Sequence, residues 1–212
     1  MSLISDARNI LKKDPAARSL VEVILLYPGF RILVYHRVAN WLYRHRKFFL
    51  ARYVSQRGRK KTGIEIHPGA TIGKSLFIDH GMGIVIGETA EIGDNCTIYH
   101  QVTLGGTGKD VGKRHPTIGN NVLIGAGASV LGPVVIGNNV RVAAGSVVLN
   151  NLPHNATAAG VPARVVSING DRVPSDDLNQ RDIPDLLAKK FAEVENRLAQ
   201  LEHENEADDS ME

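Results

Sequence analysis

Aliphatic residues recur along the middle of the chain at intervals of six positions. The series has thirteen members between Ile66 and Val148, and ten of its twelve steps are six residues long. Its members are Ile66, Ile72, Ile78, Ile86, Ile92, Ile98, Leu104, Ile118, Ile124, Val130, Ile136, Val142 and Val148. A six-residue unit makes one short strand and a turn, and it buries its aliphatic side chain only by stacking on neighbouring units. The pattern predicts a mainly β fold, a left-handed parallel β-helix of hexapeptide repeats in which three units form one triangular coil.

A second set of positions, two residues before the aliphatic ones, carries smaller side chains. Its members are Ala70, Ala90, Cys96, Val102, Val122, Ala128, Val134, Val140 and Ser146. Such residues suit inward positions near a corner of the coil, where a large side chain would not fit, while Gly and Asn supply turn conformations with positive φ. Because Cys96 belongs to this set, we expect it to be a core residue and not a nucleophile.

Two interruptions break the six-residue period. The stretch 79–83 adds two residues between the third and fourth members of the series, and the stretch 105–116 adds eight between the seventh and eighth. Both stretches contain histidine, and the second also contains arginine. Loops that leave a rigid scaffold commonly carry binding and catalytic residues. We therefore expect the chemistry of this protein at the two interruptions.

Residues 1–63 lack the repeat and are predicted to form an α-helical N-terminal domain. Asp14-Pro15 reads as an N-cap followed by proline at the first helical position, and the helix it opens should end at Pro28-Gly29. Helical spacing predicts a second helix with one apolar face, and a third helix is expected over residues 48–61. The face consists of Phe30, Leu33, Val34, Val38, Trp41 and Leu42, with Arg37 as its polar member.

The predicted β-helix domain covers residues 64–168, and residues 169–212 form a C-terminal tail. The tail carries apolar residues at the 4-3-4-3 spacing of a heptad seam, which predicts a helix at about 184–204. The seam consists of Leu187, Phe191, Val194, Leu198 and Leu201. Two heptads are short for a free-standing coiled coil, so a coiled coil and docking onto the chain's own body both remain open.

Charge is distributed unevenly along the chain, whose formal net charge is only +3. Residues 1–63 contain 14 Lys and Arg against 3 Asp and Glu, whereas residues 170–212 contain 5 against 13. The basic residues follow no nucleic-acid motif and have no interleaved stacking aromatics, so we expect solvated helix faces and no nucleic-acid site.

Cysteine content and hydropathy bear on the compartment. Cys96 is the single cysteine, so no intrachain disulfide forms, and a reducing compartment fits best. The N-terminus has no leader pattern, and charged residues interrupt every apolar run before the ~20 residues that span a bilayer. We therefore expect a cytoplasmic protein with no membrane partner.

Several local motifs make the chain resemble the serine O-acetyltransferases, in their short bacterial form. The matching stretches are Asp14–Arg18, Thr62–Gly69, Ile78–Gly81, Val85–Thr89, Val102–Gly106, Lys113–Pro116, Gly125–Ala128 and Ala159–Arg164. The hexapeptide repeat alone would indicate only an acyltransferase superfamily. The Asp79-His80-Gly81 stretch together with Lys113-Arg114-His115-Pro116 is far more specific.

This resemblance implies a set of residue roles. His80 matches the family's catalytic base, and Glu65 matches an acidic partner that orients it. Asp14 and Asp79 match carboxylates that hold the amino and hydroxyl end of serine. Arg114 matches the residue that grips the serine carboxylate, with His115 beside it. Positions that line the acetyl-CoA cleft correspond to Gly105, Gly106, Ala126, Ala128, Gly160 and Arg164.

The implied reaction is transfer of the acetyl group of acetyl-CoA to the hydroxyl of L-serine, the first step of cysteine biosynthesis from serine. A neutral imidazole suits proton removal from an alcohol at neutral pH, and a positioned base contributes ~10²–10⁴ in rate. The thioester is already activated, so we expect no metal, no covalent acyl-enzyme and no permanently bound cofactor, with acetyl-CoA as co-substrate. The planar guanidinium of Arg114 suits a carboxylate.

The resemblance also implies partners. L-Cysteine is expected as a feedback inhibitor at the serine site, because it differs from serine only in its thiol. A homotrimer is implied, in which the cleft lies between subunits, while the reduction of the helical domain to about 60 residues argues against a dimer of trimers. Relatives that dock into cysteine synthase end in isoleucine, whereas this chain ends Ser-Met-Glu, which argues against that complex.

Three other functions would use parts of the same pattern. A sugar-hydroxyl acetyltransferase would keep His80 but would not need Arg114 or Asp14. A zinc carbonic anhydrase on the same fold needs three histidines on facing subunits, two of them five residues apart, whereas histidines 67, 80, 100 and 115 are separated by 13, 20 and 15. A scaffold protein that uses its basic helices would bind phosphate polymers with steep salt dependence and show no turnover.

Overall fold

A computed structural model of the chain describes residues 3–108, residues 112–169 and, beyond these, Arg197. The predicted C-terminal helix and its heptad seam therefore lie outside the described residues, apart from Arg197, which is helical and exposed. No helix in the described part combines the length and the apolar character that crossing a membrane requires.

Four helices precede the β-helix: α1 (Leu3–Lys13), α2 (Leu20–Leu26), α3 (Pro28–Arg44) and α4 (Phe48–Thr62). The predicted N-cap at Asp14 was wrong, because α1 ends at the residue before it and Ser19 caps α2, accepting a hydrogen bond from the backbone N–H of Glu22. As expected, a helix ends just before Pro28: it is α2. Pro28 itself occupies the first turn of α3, where its fixed φ is favourable. The helix expected over residues 48–61 is confirmed as α4.

The predicted apolar face of α3 is only partly correct. Phe30 and Leu33 are buried, but Val38 and Trp41 are 49% and 54% exposed. The buried stripe instead continues through residues such as His36, which packs against the first coil of the β-helix. Contact with the β-helix therefore determines which face of α3 is buried. That face includes polar side chains, so an apolar pattern alone does not reveal it.

The β-helix consists of short strands, most of them two residues long. They are β1 (Glu65–Ile66), β2 (Thr71–Ile72), β3 (Phe77–Ile78), β4 (Val85–Ile86), β5 (Glu91–Ile92), β6 (Thr97–Ile98), β7 (Thr103–Gly105), β8 (Thr117–Ile118), β9 (Leu123–Ile124), β10 (Ser129–Leu131), β11 (Val135–Ile136), β12 (Arg141–Val142), β13 (Val147–Val148), β14 (Ala156–Gly160) and β15 (Ala163–Ile168). The thirteen aliphatic residues of the repeat occupy the second position of β1 to β13, one in each strand. The predicted β-helix is thereby confirmed strand by strand.

The strands form three sheets, which are the faces of a triangular prism. The first sheet has the order β1-β4-β7-β10-β13, the second β11-β8-β5-β2 and the third β15-β14-β12-β9-β6-β3. Pairing among β1 to β14 is parallel and in register, with rung residues side by side, for example Ile66 with Ile86 and Ile78 with Ile98. The last strand, β15, pairs antiparallel with β14. The rung residues and the small residues before them fill the core, and among the rung residues only Ile72 is partly exposed.

Two corners of the prism matter for function. The third-to-first corner joins strands of the third sheet to strands of the first. Backbone hydrogen bonds connect its successive turns: the N–H of Gln101 donates to Met82 O, that of Gly127 to His100 O and that of Gly145 to Ala126 O. The first-to-second corner contains Glu88 and Thr89, and the long loop between β7 and β8 leaves the prism there. Each interruption of the repeat thus lies at a different corner.

Helix α1 is fixed to the β-helix by polar contacts. The amide of Asn9 donates to the Ser75 carbonyl at 3.0 Å, and the buried carboxylate of Asp6 accepts from the Ser75 N–H and from Arg37. At the C-terminal end of α1, the Lys13 ammonium contacts Asn95 O at 3.4 Å and Thr97 Oγ1 at 3.5 Å. Together these contacts hold α1, and therefore Asp14 directly after it, against the prism.

Candidate active site

Asp79 and His80 lie at the third-to-first corner, directly after β3. The Asp79 N–H donates to Ile98 O at 3.0 Å, and the Gly81 N–H folds back onto Asp79 O at 2.7 Å, which turns the chain outward. The His80 side chain is 79% exposed, with Nε2 3.9 Å from Asp79 Oδ1. Burial raises the pKa of Asp79; the positive charge that His80 can carry opposes this, and the negative charge of Asp14 adds to it. This corner presents an accessible imidazole beside a half-buried carboxylate.

Asp14 joins the same cluster from the helical domain. Its Oδ1 accepts a hydrogen bond from the Ala16 N–H at 2.8 Å, which fixes the turn between α1 and α2. Burial, and the Asp14 carboxylate that accepts from its hydroxyl, raise the pKa of Tyr27 to about 12. The fold therefore brings Asp14 next to Asp79 and His80, which lie more than sixty residues further along the chain.

His100 also belongs to this cluster, although it was not among the residues predicted for the site. Its ring centroid lies 6.0 Å from that of His80 at an interplanar angle of 82°, and its Nδ1 is enclosed without a hydrogen-bond partner among the described residues. The sequence spacing also indicates this position. Twenty residues separate His80 from His100, which is one coil of eighteen residues plus the two inserted ones, so the two histidines lie at the same corner on successive coils.

Glu65 is not in contact with His80. It is the outward residue of β1, and its carboxylate pairs with Arg52 at 3.5 Å and with Arg59 at 3.2 Å, both from α4. Its backbone N–H donates to Ile84 O, so it lies on the coil next to the His80 turn. In the described part of the chain, no hydrogen bond or ion pair joins Glu65 to His80.

Arg114 lies at the other functional corner, the first-to-second corner. Its Nη2 donates to Glu88 Oε2, and Glu88 Oε1 accepts from the Tyr43 hydroxyl at 2.8 Å. Hydrogen bonds from Tyr43 and then Arg114 hold the pKa of Glu88 below its usual range, against an opposing effect of burial. Glu88 and Tyr43 were not among the residues predicted to belong to the site.

His115 is held tightly beside Arg114. The residue is 8% exposed, and its Nδ1 lies 3.2 Å from the backbone nitrogen of Thr89 and 2.9 Å from Thr89 Oγ1. Because a backbone N–H can only donate, Nδ1 is the acceptor nitrogen and the neutral ring carries its proton on Nε2. Burial lowers the pKa of His115, and the charge of Arg114 lowers it further. Thr89 Oγ1 also accepts the backbone N–H groups of Arg114 and His115, each at 3.1 Å.

Four of the six predicted cofactor-binding residues lie at or near the two corners. Ala126 lies at the third-to-first corner above His100, and Gly160 lies in the same region, where its N–H donates to Ser146 Oγ at 3.2 Å. Gly105 and Gly106 lie where the long loop leaves β7. Arg164 is exposed on β15.

Ala128 does not belong in the predicted set of cofactor-binding residues. Its side chain is fully buried in the core, and its backbone N–H and C=O are used within the β-helix, by Gly125 O and the Thr103 N–H. It is one of the small inward residues of the repeat, and this inward position removes its side chain from any surface cleft.

The two parts of the predicted site, which we call its arms, lie at opposite ends of the strands of the first sheet. His80, Asp79 and Asp14 are at the third-to-first corner, and Arg114 and His115 are at the first-to-second corner. Each side of a triangular coil contains six residues, so at about 3.3 Å per residue the two corners are up to roughly 20 Å apart. One small amino acid cannot contact both arms of a single chain.

Two other kinds of chemistry receive no support from the described residues. They contain no group of three or more His, Cys, Asp or Glu side chains placed to hold a metal ion. Cys96 is fully buried, and burial raises the pKa of its thiol to about 11, so it has the character of a core residue.

The chain is similar to known proteins in its repeat and over most of its length. The sequence matches the family described as bacterial transferase hexapeptide (six repeats) over residues 115–150. A serine acetyltransferase of Bacillus licheniformis is 52% identical over 202 residues, which is 95% of this chain and 93% of that protein.

Solved structures agree with the sequence comparison. Serine acetyltransferase of Brucella abortus in complex with coenzyme A has a TM-score of 0.77 at 46% identity, covering 79% of this chain and 67% of that one. Soybean serine acetyltransferase complexed with serine has a TM-score of 0.75 at 48% identity, covering 77% and 68%. A serine acetyltransferase in complex with cysteine has a TM-score of 0.75 at 41% identity, covering 77% and 68%. With half of its residues identical to a relative that it matches over nearly its whole length, and with the same fold, the chain belongs to the serine acetyltransferase family.

Proposed function

We propose that this protein transfers the acetyl group of acetyl-CoA to the side-chain hydroxyl of L-serine, giving O-acetyl-L-serine and CoA. The observation that carries the proposal is the pair of charged arms, one with Asp14, Asp79 and an accessible His80, the other with Arg114. An α-amino acid carries an ammonium and a carboxylate, and these arms offer the opposite charge to each. Relatives whose structures contain coenzyme A and serine support the same substrates.

His80 is the proposed general base. Its neutral ring nitrogen accepts the hydroxyl proton while the serine oxygen bonds to the thioester carbonyl carbon. The tetrahedral intermediate then breaks its C–S bond, and the imidazolium returns the proton to the departing CoA thiolate. A positioned base of this kind contributes ~10²–10⁴ in rate. Every atom and proton is accounted for without a metal or a covalent acyl-enzyme.

Glu65 is the proposed orienting group for His80. The high exposure of His80 leaves its ring free to turn toward the β1 edge, where Glu65 lies one coil away. A carboxylate on the second ring nitrogen would fix the tautomer and stabilise the imidazolium. Arg52 and Arg59 hold the Glu65 side chain in place, which supports a fixed position for such a partner.

We propose that the complete site forms between two copies of the chain, in a homotrimer. The separation of the two arms across the first sheet supports this, because the third-to-first corner of one copy can meet the first-to-second corner of the next in a closed ring. The outward residues of β4, β7, β10 and β13 include Val85, Thr103, Ser129 and Val147, none of them charged. The uncharged surface of these four strands is suited to burial against a neighbour, whereas the charged outward residue of the sheet, Glu65 of β1, is paired with Arg52 and Arg59 of α4.

Acetyl-CoA is proposed to lie along the same contact between copies. Ala126 and Gly160 continue the third-to-first corner beyond His80 and His100, and Gly105 and Gly106 border the opposite corner. Residues with little or no side chain leave the backbone accessible along this path, which suits an extended ligand. Arg164 lies at the far end, where its charge is suited to a phosphate group.

The proposal is tested by following CoA thiol release from acetyl-CoA in the presence of each of the twenty amino acids. We expect turnover with L-serine, and turnover at least tenfold lower with L-threonine, whose extra methyl group crowds the reacting oxygen. Thiol release that depends on a sugar and not on serine would contradict the proposal.

L-Cysteine is proposed to bind at the serine position, because both charged arms would recognise it equally well. We expect inhibition that is competitive with serine. Cysteine inhibition that persists undiminished at saturating serine would place the inhibitor at a different site.

A further inference from the structure

Tyr43 connects the helical domain to the arm that carries Arg114. It lies in the last turns of α3, and its hydroxyl donates to Glu88 Oε1 at 2.8 Å. The other carboxylate oxygen of Glu88 accepts from Arg114 Nη2. One carboxylate therefore bridges a phenol of the helical domain and a guanidinium of the long loop.

The Tyr43 ring is itself held in place by its neighbours. It makes edge contacts with Phe48 at a centroid distance of 5.1 Å and with His67 at 5.9 Å. Two cavities, of about 320 and 400 Å³, adjoin it, and both are lined by Tyr43 and Glu88. Open space on both sides means that Glu88 is not confined by packing. In the described part of the chain, the Tyr43 hydroxyl is the one hydrogen-bond donor to Oε1.

The charge state of Glu88 fits a positioning role. A carboxylate orients a guanidinium well only when it is ionised, since the ionised form accepts at both oxygens. The hydrogen bond from Tyr43 is the largest influence that lowers the pKa of Glu88, and the same bond raises the pKa of Tyr43. The phenol therefore remains the donor and Glu88 the acceptor at neutral pH.

We propose that Tyr43 is a positioning residue for substrate recognition, acting through Glu88 to hold Arg114 in the orientation that receives the acceptor carboxylate. The inference rests on the proposed function, in which Arg114 binds that carboxylate. Glu88 uses Nη2 of the guanidinium, and Nη1 makes one long contact of 3.5 Å with the Gly112 carbonyl. Other N–H donors of the planar fork remain for the ligand. The helical domain would thereby set the affinity for the acceptor without touching it.

Tyr43→Phe isolates this role, because phenylalanine keeps both ring contacts and removes only the hydroxyl. We expect the KM for serine to rise about five- to tenfold, since bonds to charged groups are the stronger ones and water replaces part of the loss at a partly exposed pair. The kcat and the KM for acetyl-CoA should stay within about twofold. Tyr53→Phe is the matched control: it removes a hydroxyl on α4 that contacts Arg57 at 2.5 Å, away from Glu88.

A double-mutant cycle with Glu88→Gln distinguishes positioning from general support of the fold. If Tyr43 acts through Glu88, the double variant should have the serine KM of Glu88→Gln alone, because the second change removes nothing further. Effects that multiply would overturn the inference, as would a Tyr43→Phe variant whose serine KM equals that of Tyr53→Phe. An unmutated protein without serine turnover would overturn the proposed function and the inference together, so the two failures are distinguishable.

Discussion

Gly87 gives His115 the space that it needs beside the first-to-second corner. A Cβ at this position would lie 1.9 Å from His115 Cδ2 and 2.0 Å from its Nε2. Carbon atoms in contact are normally ~3.5–4.0 Å apart, so the imidazole would have to move by roughly 1.5–2 Å. Such a movement breaks the contacts of Nδ1 with Thr89. Gly87→Ala is therefore a steric change directed at His115 and, through the chain, at Arg114.

The cost of Gly87→Ala has two parts. Overpacking of this kind costs about 1–3 kcal/mol, and the lost hydrogen bond to Thr89 adds about 1 kcal/mol, so the free energy of unfolding should fall by roughly 2–4 kcal/mol. The displacement of Arg114 should raise the KM for serine at least about tenfold, which corresponds to about 1.4 kcal/mol. The KM for acetyl-CoA should change less.

Urea unfolding and steady-state kinetics measure the two effects, and His115→Ala supplies the control background. With the imidazole removed, a methyl group at position 87 has no ring to displace, so Gly87→Ala should then cost less than about 0.5 kcal/mol. An equal cost in both backgrounds would refute the steric reasoning. So would a Gly87→Ala variant with the serine KM of the unmutated protein.

The remaining predictions concern the base, the clamp and pH. His80→Ala should lower kcat by ~10²–10⁴, and Glu65→Gln should lower it less, because the base is still present; near-native turnover of His80→Ala would show that another group takes the proton. Arg114→Lys should raise the KM for serine, since an ammonium cannot serve Glu88 and a substrate carboxylate as a fork does; a change confined to acetyl-CoA would instead assign Arg114 to the co-substrate. Burial lowers the pKa of His36 from 6.5 to about 4, so its neutral form contributes stability fully above pH 6.5, and this is lost as the pH falls through about 4. Between pH 7 and pH 4, the free energy of unfolding measured with urea should fall by about 3 kcal/mol less in His36→Gln than in the unmutated protein. An equal fall in both proteins would show that His36 is not the source of this pH dependence.

The repeat could be predicted almost completely from sequence, because each rung has the same local requirement. An inward aliphatic residue, a small residue two positions earlier and a turn former recur in every unit, so one rule places thirteen strands. The helical domain was less predictable. Asp14 has the residue type of an N-cap, yet it ends up after α1, where the contacts of Asn9 and Asp6 with Ser75 fix the helix to the prism.

The candidate site divides in the same way. The interruptions of the repeat pointed to His80 and Arg114, since only a loop can carry a side chain away from the regular surface. Glu88 and Tyr43 gave no such signal, because they belong to a regular turn and a regular helix and acquire their role only from the contact between domains. Ala128 matched a motif, but its inward position in the coil removes it from the surface.

The central claim, that each site combines His80 of one copy with Arg114 of the next, is tested most directly by mixing two inactive variants. His80→Ala and Arg114→Ala would each be assayed alone at limiting serine and then after co-assembly at equal amounts. In a cyclic trimer, every mixed ring has one contact with both residues intact, so random assembly should restore about a quarter of the unmutated activity. If the site lies within one chain, mixing restores nothing, and that result would contradict the account.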